Sequence, residues 1–308
     1  MSLAGALVVD KPRGPTSHDV VARVRRVLDL RRAGHTGTLD PFATGVLVVC
    51  LGRATRLARF LAEGDKLYEA EVHLGFATST DDLEGEPLGP PGQPDVSREA
   101  VLAACARLVG PQLQRPPAFS AKRVGGRRAY DLARAGRPTQ PDPVPVIVHA
   151  LEVLVFEGSR LEIRVRCSPG TYVRAIARDL GEALGTGAHL AALRRTESGG
   201  FGLDAALPLD QLETRGRERV VPLRGLLAAW PCVRVGDAGR EALRHGRDLT
   251  ESHVLDGFPA EPPPLRLRVL GSDGELLALA SPRGFGPAVA GLPRQPALHP
   301  DLVLLGEG

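Results

Sequence analysis

One stretch of the chain concentrates groups able to do chemistry: Gly34-His35-Thr36-Gly37-Thr38-Leu39-Asp40-Pro41-Phe42-Ala43-Thr44-Gly45-Val46-Leu47. It sets a single carboxylate, Asp40, in a run dense in glycine and threonine. The proline that follows holds Asp40 in extended backbone. Loops of this kind admit a ligand close to the main chain. An aspartate placed there can act as a nucleophile or as the electrostatic partner of a bound group. A phosphate-binding P-loop is excluded, because the Gly-Lys-Ser/Thr ending is absent. An Asp-Pro pair alone more often only turns a chain, so the surrounding elements decide.

Upstream, an apolar strand over 6–9 is broken by Pro12, Gly14 and Pro15. Thr16 or Ser17 then caps a helix with Asp19 in its first turn. Val20, Val21, Val24, Val27 and Leu28 give this helix one apolar face, while Arg23, Arg25, Arg26, Arg31 and Arg32 make its other side and end basic. Residues 34–44 read as a polar loop, and the unbroken apolar run 46–51 as a buried strand. A short helix is expected over 53–62, ended by Gly64. Next, Tyr68, Ala70, Val72 and Leu74 alternate with Glu69, Glu71 and His73. That is the period of a half-buried strand, and it turns Tyr68 toward the interior or a cleft.

Residues 76–96 form a Gly- and Pro-rich loop, in which Asp81, Asp82 and Glu84 lack a fourth metal ligand and read as solvated. Ser97 opens a helix through Val109, and strands over 144–156 and 161–167 flank a turn at Gly158 and Ser159. Thr171 caps a helix to Leu184, with Gly185 past its end. Near Pro231 the pattern changes. A short helix over 238–245 and strands over 265–270 and 276–280, with a Ser272-Asp273-Gly274 turn between them, describe a small mixed module. The fold class is therefore α+β, in a domain over 1–230 and a second over 231–308.

The 308 residues, 43% hydrophobic and 24% charged, have the composition of an ordinary soluble globular protein. A net charge of +3 says little about nucleic acid, but the charge is unevenly placed. Residues 1–59 carry ten Lys/Arg against four Asp/Glu, and 115–137 carry seven against one, with Phe119 and Tyr130 interleaved. Only Lys11, Lys66 and Lys122 are lysines, so where the arginines fall matters more than how many there are. Cys50, Cys105, Cys167 and Cys232 form no CxxC pair and have no neighbouring His cluster. They read as reduced core residues of a cytoplasmic protein without a metal. The apolar start, Leu3 to Val9, is too short for a signal segment, and no stretch reaches the ~18 apolar residues of a membrane span.

The stretch around Asp40 resembles the signature of the TruB family of pseudouridine synthases, and its neighbours agree. Lys11 to Asp19 is similar to the family's opening Lys-Pro-x-Gly-x-Thr-Ser-His-Asp, and Lys66-Leu67-Tyr68 to its Lys-x-Tyr strand. Cys167-Ser168-Pro169-Gly170-Thr171-Tyr172-Val173-Arg174 matches a further family segment, as do Leu193-Arg194-Arg195-Thr196 and Ser198-Gly199-Gly200-Phe201. The resemblance covers residues 5 to about 228. It implies a catalytic domain built on a mixed, mainly antiparallel sheet flanked by helices. Residues 231–308 are similar, through His245-Gly246 and Gly274 to Ala280, to a mainly-β PUA RNA-binding domain.

The activity so implied is isomerisation of a uridine in the T-loop of tRNA, at position 55, to pseudouridine, with the target base flipped out of its stack. The reaction involves no redox change and no group donor, so no cofactor is expected. The resemblance makes Asp40 the nucleophile and gives Arg174, near the start of a helix, the task of holding Asp40 ionised and aimed. It gives Tyr68 an aromatic face for the flipped uracil and a hydroxyl able to relay a proton. His35 is assigned to RNA positioning, Lys11 with Pro12 to support of the loop, and Leu193 to packing beside the base. Lys122, Arg123, Arg127 and Arg128 fall in an insertion over about 112–143 that would clamp the T-arm through phosphate contacts and shape. Guide-RNA-dependent synthases of the dyskerin type share the catalytic motif, but the basic insertion suits direct binding of tRNA. A non-catalytic RNA-binding protein is disfavoured by the intact Asp40, Tyr68 and Arg174. The protein is expected to be a monomer with no obligatory protein partner and no membrane association.

Overall fold

The computed structural model describes residues 3–120, 123–124, 127–128, 141–285 and 296–305, with backbone alone for 123–124 and 127–128. Lys122 and Tyr130 lie outside the described residues. The strands in the first half are β1 (Gly5–Lys11), β2 (Ala33–His35), β3 (Thr44–Leu51), β4 (Lys66–Leu74) and β5 (Gly110–Gln114). They are followed by β6 (Arg123–Val124), β7 (Arg127–Arg128), β8 (Val144–Glu157), β9 (Arg160–Cys167) and β10 (Ala188–Ser198). Three short strands come next: β11 (Phe201–Gly202), β12 (Leu207–Pro208) and β13 (Val221–Pro222).

All but β6 and β7 of these join one mixed sheet, whose main path runs β12-β1-β3-β10-β4-β9-β8-β5. Most pairings are antiparallel; β10 lies parallel to β3, and β12 parallel to β1. The expected mixed, mainly antiparallel sheet is therefore present. Among the described residues β6 and β7 pair only with each other, Arg123 opposite Arg128.

Burial explains why some strands read as unbroken apolar runs and others alternate. In β1 and β3, Leu7, Val9, Leu47 and Val49 enter one apolar cluster, while Ala6, Val8, Val46 and Val48 enter another on the opposite face. In β4, Tyr68, Ala70, Val72 and Leu74 face the first cluster, and Glu69, Glu71 and His73 are only half-buried. Helices Ser17–Val27 and Val173–Leu184 cover the first cluster with Val20 and Val24, and with Val173, Ile176, Ala177 and Leu180.

Local signals set the ends of these helices. Thr16 accepts from the Asp19 backbone N–H, and the Asp19 carboxylate accepts from that of Thr16, a reciprocal capping box. Gly185 closes the second helix at φ 69°. Thr171 does not cap that helix, contrary to the sequence reading. Its hydroxyl donates back to the Ser168 carbonyl at 2.9 Å, and the helix begins at Val173. Gln114 instead grips the Tyr172 backbone, accepting from its N–H at 2.8 Å and donating to its carbonyl at 3.1 Å. Two further expectations are corrected. Gly34 and His35 belong to β2, where pairing with Cys50 and Val49 satisfies their backbone, and Cys232 is exposed rather than core.

Beyond Trp230, a second sheet takes the order β15-β14-β16-β17-β18, from β14 (Cys232–Val235), β15 (Val254–Asp256), β16 (Leu267–Gly271), β17 (Leu276–Arg283) and β18 (Ala297–Val303). It has its own core, including Val233, Leu243, Val269, Leu277 and Leu298. Leu276, Leu279 and Leu304 point the other way, into the cluster under β1 and β3. Arg53 and Arg56 donate to the Leu304 and Val303 carbonyls at 2.8 and 2.6 Å, and Arg266 pairs with Glu63 at 2.8 Å. Among the described residues no helix is long and apolar enough to cross a membrane.

A tight point of the main sheet lies where β3 meets β10. Gly45 sits at φ +100°, and a Cβ added there would collide with the Arg195 carbonyl oxygen. Gly45→Ala should therefore cost at least ~2 kcal/mol in denaturant unfolding. A variant as stable as the parent would show that this strand contact is not tight.

Candidate active site

The loop carrying Asp40 is fixed from several sides before any ligand is considered. Ser17 donates to the Leu39 carbonyl at 3.0 Å and accepts from the Leu39 N–H at 2.8 Å. The Lys11 ammonium, fully buried, donates to the carbonyls of Pro12, Pro41 and Ala43 at 2.9, 3.2 and 2.7 Å. The Gly14 N–H reaches the Pro41 carbonyl at 2.8 Å.

Asp40 meets Arg174 through two parallel contacts, Nε to Oδ2 at 3.1 Å and Nη2 to Oδ1 at 3.3 Å. The Arg174 side chain is 7% exposed, and its remaining donors are also taken. Nη1 donates to Asp82 Oδ2 at 3.2 Å and to the Thr80 carbonyl at 3.1 Å, and Nη2 to the Phe119 carbonyl at 3.0 Å. Burial pushes the Asp40 carboxyl above its ordinary value, and the nearby Asp82 adds to this, while Arg174 and Lys11 pull against it. Burial likewise lowers Lys11 to about 8.

Sequence reasoning missed Asp82 and misplaced its neighbour. Both had been read as solvated; Asp82 is instead buried, and Asp81 pairs with Arg178 at 3.0 Å. The loop is strapped to β10, with Leu83 N–H donating to the Leu190 carbonyl and Leu190 N–H to that of Asp81, each at 3.0 Å. Asp82 also accepts from the Thr80 hydroxyl at 2.6 Å and the Glu84 N–H at 3.0 Å. A usable signal existed: two adjacent acids match two arginines, Arg174 and Arg178, spaced one helical turn apart.

Tyr68 is 8% exposed and stands opposite Arg195 on β10 and Val165 on β9. Burial pushes its hydroxyl up; the charge of Arg195 opposes this, and that of Asp40 adds to it. Leu193 is buried opposite Ala70, and both line a cavity of about 320 Å³ with Arg13, Phe42, Thr44 and Arg194. The cavity touches the Asp40 loop at Phe42 and Thr44. His35 is half-buried, edge-on to the His18 ring at 5.3 Å, and no hydrogen bond joins it to Asp40. Its Nδ1 has no partner, and burial lowers its pKa, keeping the ring neutral near pH 7. Arg123, Arg127 and Arg128 lie on the paired strands β6 and β7, with side chains outside the described residues. Among the described residues, no group of three His, Cys, Asp or Glu is placed to hold a metal.

This arrangement can present a carboxylate, aimed by a planar cation, whose charge is felt at the buried Tyr68 ring. The fold is that of a pseudouridine synthase. The chain is similar to a structure titled as an H/ACA RNP bound to a substrate RNA containing 2′-deoxyuridine, with TM-score 0.73 and 27% identity. It is equally similar, at TM-score 0.73 and 29% identity, to a Cbf5–Nop10–Gar1 complex; both matches cover 98% of this chain and 85% of the other.

Within that class the chain belongs to the TruB family of pseudouridylate synthases, which are isomerases. Residues 25–173 match the TruB family pseudouridylate synthase (N terminal domain), and residues 174–228 the tRNA pseudouridylate synthase B C-terminal domain. A tRNA pseudouridine synthase B of Solibacter usitatus is 44% identical, over 89% of this chain and 94% of that protein. One of Corynebacterium aurimucosum is also 44% identical, over 84% and 89%. One of Burkholderia pseudomallei is 41% identical, over 91% and 93%.

The balance of charges around Asp40 sets a pH dependence. If the ionised carboxylate does the chemistry, the single-turnover rate should be full above its raised pKa and fall as pH drops through it, above the ~3.9 of a free aspartate. Asp82→Asn removes a negative neighbour and should move this acid limb to lower pH while slowing the step. A limb that stayed in place would show that Asp82 does not act on Asp40.

Proposed function

We propose that this protein isomerises a uridine in the T-loop of tRNA, at position 55, to pseudouridine, with Asp40 as nucleophile and the target base flipped into the site. The observation that carries the reading is the two-contact pair between Asp40 and a buried Arg174, in a chain whose relatives are named tRNA pseudouridine synthase B. Arg174 favours the ionised carboxylate against the burial that raises its pKa, and fixes its direction. The base leaves the sugar at N1 and is rejoined through C5. The C5 proton departs and N1 gains one, so the product is an isomer and no cofactor is consumed. Tyr68 offers a ring for the uracil to lie against and a hydroxyl for proton relay. Leu193 packs beside the base, and His35, half-buried beside the loop, positions the nucleotide.

Lys122, Arg123, Arg127 and Arg128 are proposed to grip T-arm phosphates from the insertion over about 112–143. Residues 1–230 would form the catalytic domain and 231–308 a PUA-like domain adding RNA contacts outside the T-loop, in a cytoplasmic monomer.

The test is an assay of the purified protein, alone, on an unmodified tRNA transcript. The parent should form pseudouridine in the T-loop without guide RNA. Asp40→Asn should form none while keeping tRNA affinity within about threefold, or ~0.6 kcal/mol. Clear residual turnover in that variant would remove Asp40 as nucleophile. An inactive parent that gained activity with a guide RNA would favour the dyskerin-type alternative.

A further inference from the structure

Three buried cations lie under the Asp40 loop and the Tyr68 strand: Lys11, Lys66 and Arg195, at 0%, 7% and 2% exposure. Among the described residues none pairs directly with a carboxylate; each is met by main-chain carbonyls. Lys11 holds those of Pro12, Pro41 and Ala43, and Lys66 those of Ala62 and Gly64. Burial brings both lysines to about 8, so either can shed its charge. A guanidinium does not. Arg195 is therefore a permanent charge in the interior with no counter-ion in contact, an arrangement unfavourable for stability alone.

Its placement suggests what offsets that disadvantage. The Arg195 backbone pairs with Gly45 of β3 on one side and with Tyr68 of β4 on the other. Its side chain reaches beneath the Asp40 loop, with Nε donating to the Val46 carbonyl at 2.8 Å, Nη2 to Gly37 at 3.0 Å and Nη1 to Thr38 at 3.4 Å. Gly37 and Thr38 precede Asp40, and Val46 follows it. One planar group thus ties the two arms of the loop together, in the residue that also pairs with Tyr68 across the sheet.

We propose that Arg195 is a positioning residue for the isomerisation, a clasp that closes the Asp40 loop and keeps it in register with Tyr68 while the base detaches and turns. Arg174 aims the carboxylate from the front, and Arg195 fixes its backbone from behind. The requirement is for the fork as much as for the charge, because three carbonyls in fixed directions must be met at once; the compact ammonium of lysine does not reproduce that pattern. The proposal rests on Asp40 being the nucleophile.

The experiment uses the full chain carrying Arg195→Lys or Arg195→Gln, with Asp40→Asn alongside. Each is measured for melting, for affinity to a tRNA transcript, and for single-turnover rate against pH. Arg195→Lys should melt cooperatively and bind the transcript within about threefold of the parent, yet lose about a hundredfold in single-turnover rate. Its acid limb should stay in place, since Arg174, Asp82 and Lys11 still surround Asp40. Amide exchange should rise over residues 36–46 and not in β8 or β9. Arg195→Gln, if folded, should lose at least as much rate. A loss under threefold in a folded variant, or a rate loss matched by an equal loss of affinity, overturns the proposal. Failure of both variants to melt cooperatively also overturns it, by making Arg195 a folding residue. Turnover in Asp40→Asn would remove the nucleophile assignment and this proposal with it, whereas an inert Asp40→Asn beside a fully active Arg195→Lys would sink the clasp alone.

Discussion

The site depends on one guanidinium. Arg174 is almost wholly removed from water, and a cation in that position must have its donors met. They are met by Asp40, Asp82 and the carbonyls of Thr80 and Phe119, so three distant parts of the chain converge on one planar group. Withdrawing the Asp82 carboxylate would leave a buried charge short of a partner, a loss on the order of 3–5 kcal/mol for a buried pair; the half-buried Asp40 contributes less to stability. The convergence therefore holds the loop that follows β4 and the segment before β6 against the start of the helix at Val173. It also sets the direction of Asp40 in the free protein, so little reorganisation would be left for the moment of reaction.

The sheet makes that convergence possible. β1 and β3 are covered on both faces, one by the helices and the other by the chain that leads to the second sheet, which leaves them little freedom to shift. On this rigid pair the Asp40 loop hangs between β2 and β3. Side chains from β1 and β10 secure it through its carbonyls rather than through ion pairs. Opposing influences then meet at the carboxyl itself: burial and Asp82 favour its protonated form, Arg174 and Lys11 the ionised one. Burial prevails, and Arg174 limits how far.

What was legible in the sequence was what local patterning encodes. The apolar runs of β1 and β3, the alternation of β4, the Thr16–Asp19 cap and Gly185 all follow from period 2, period 3.6 or a backbone preference. Tyr68 was placed on the correct face for the same reason. The Asp40–Arg174 pair spans 134 residues and was legible only through resemblance to a family. Asp82 was lost because its loop has no period, and its burial comes from two hydrogen bonds to β10 more than 100 residues away. β14, β15 and β18 escaped because strands of 3–7 residues with interrupted apolar character resemble loops, and their pairing partners lie far along the chain. Thr171 misled because a hydroxyl beside a helix start can bond backward as readily as forward.

If Asp40 is the nucleophile, the fork of Arg174, and not merely its positive charge, prepares it for the chemical step. Arg174→Lys keeps the charge and removes the fork. The decisive measurement is the single-turnover rate of this variant on a tRNA transcript, set beside its affinity for the same RNA. The expected result is a rate loss of about a hundredfold or more with affinity within about threefold of the parent. Equal losses in rate and affinity would make Arg174 an RNA contact, and an unchanged rate would mean that Asp40 needs no fork to aim it.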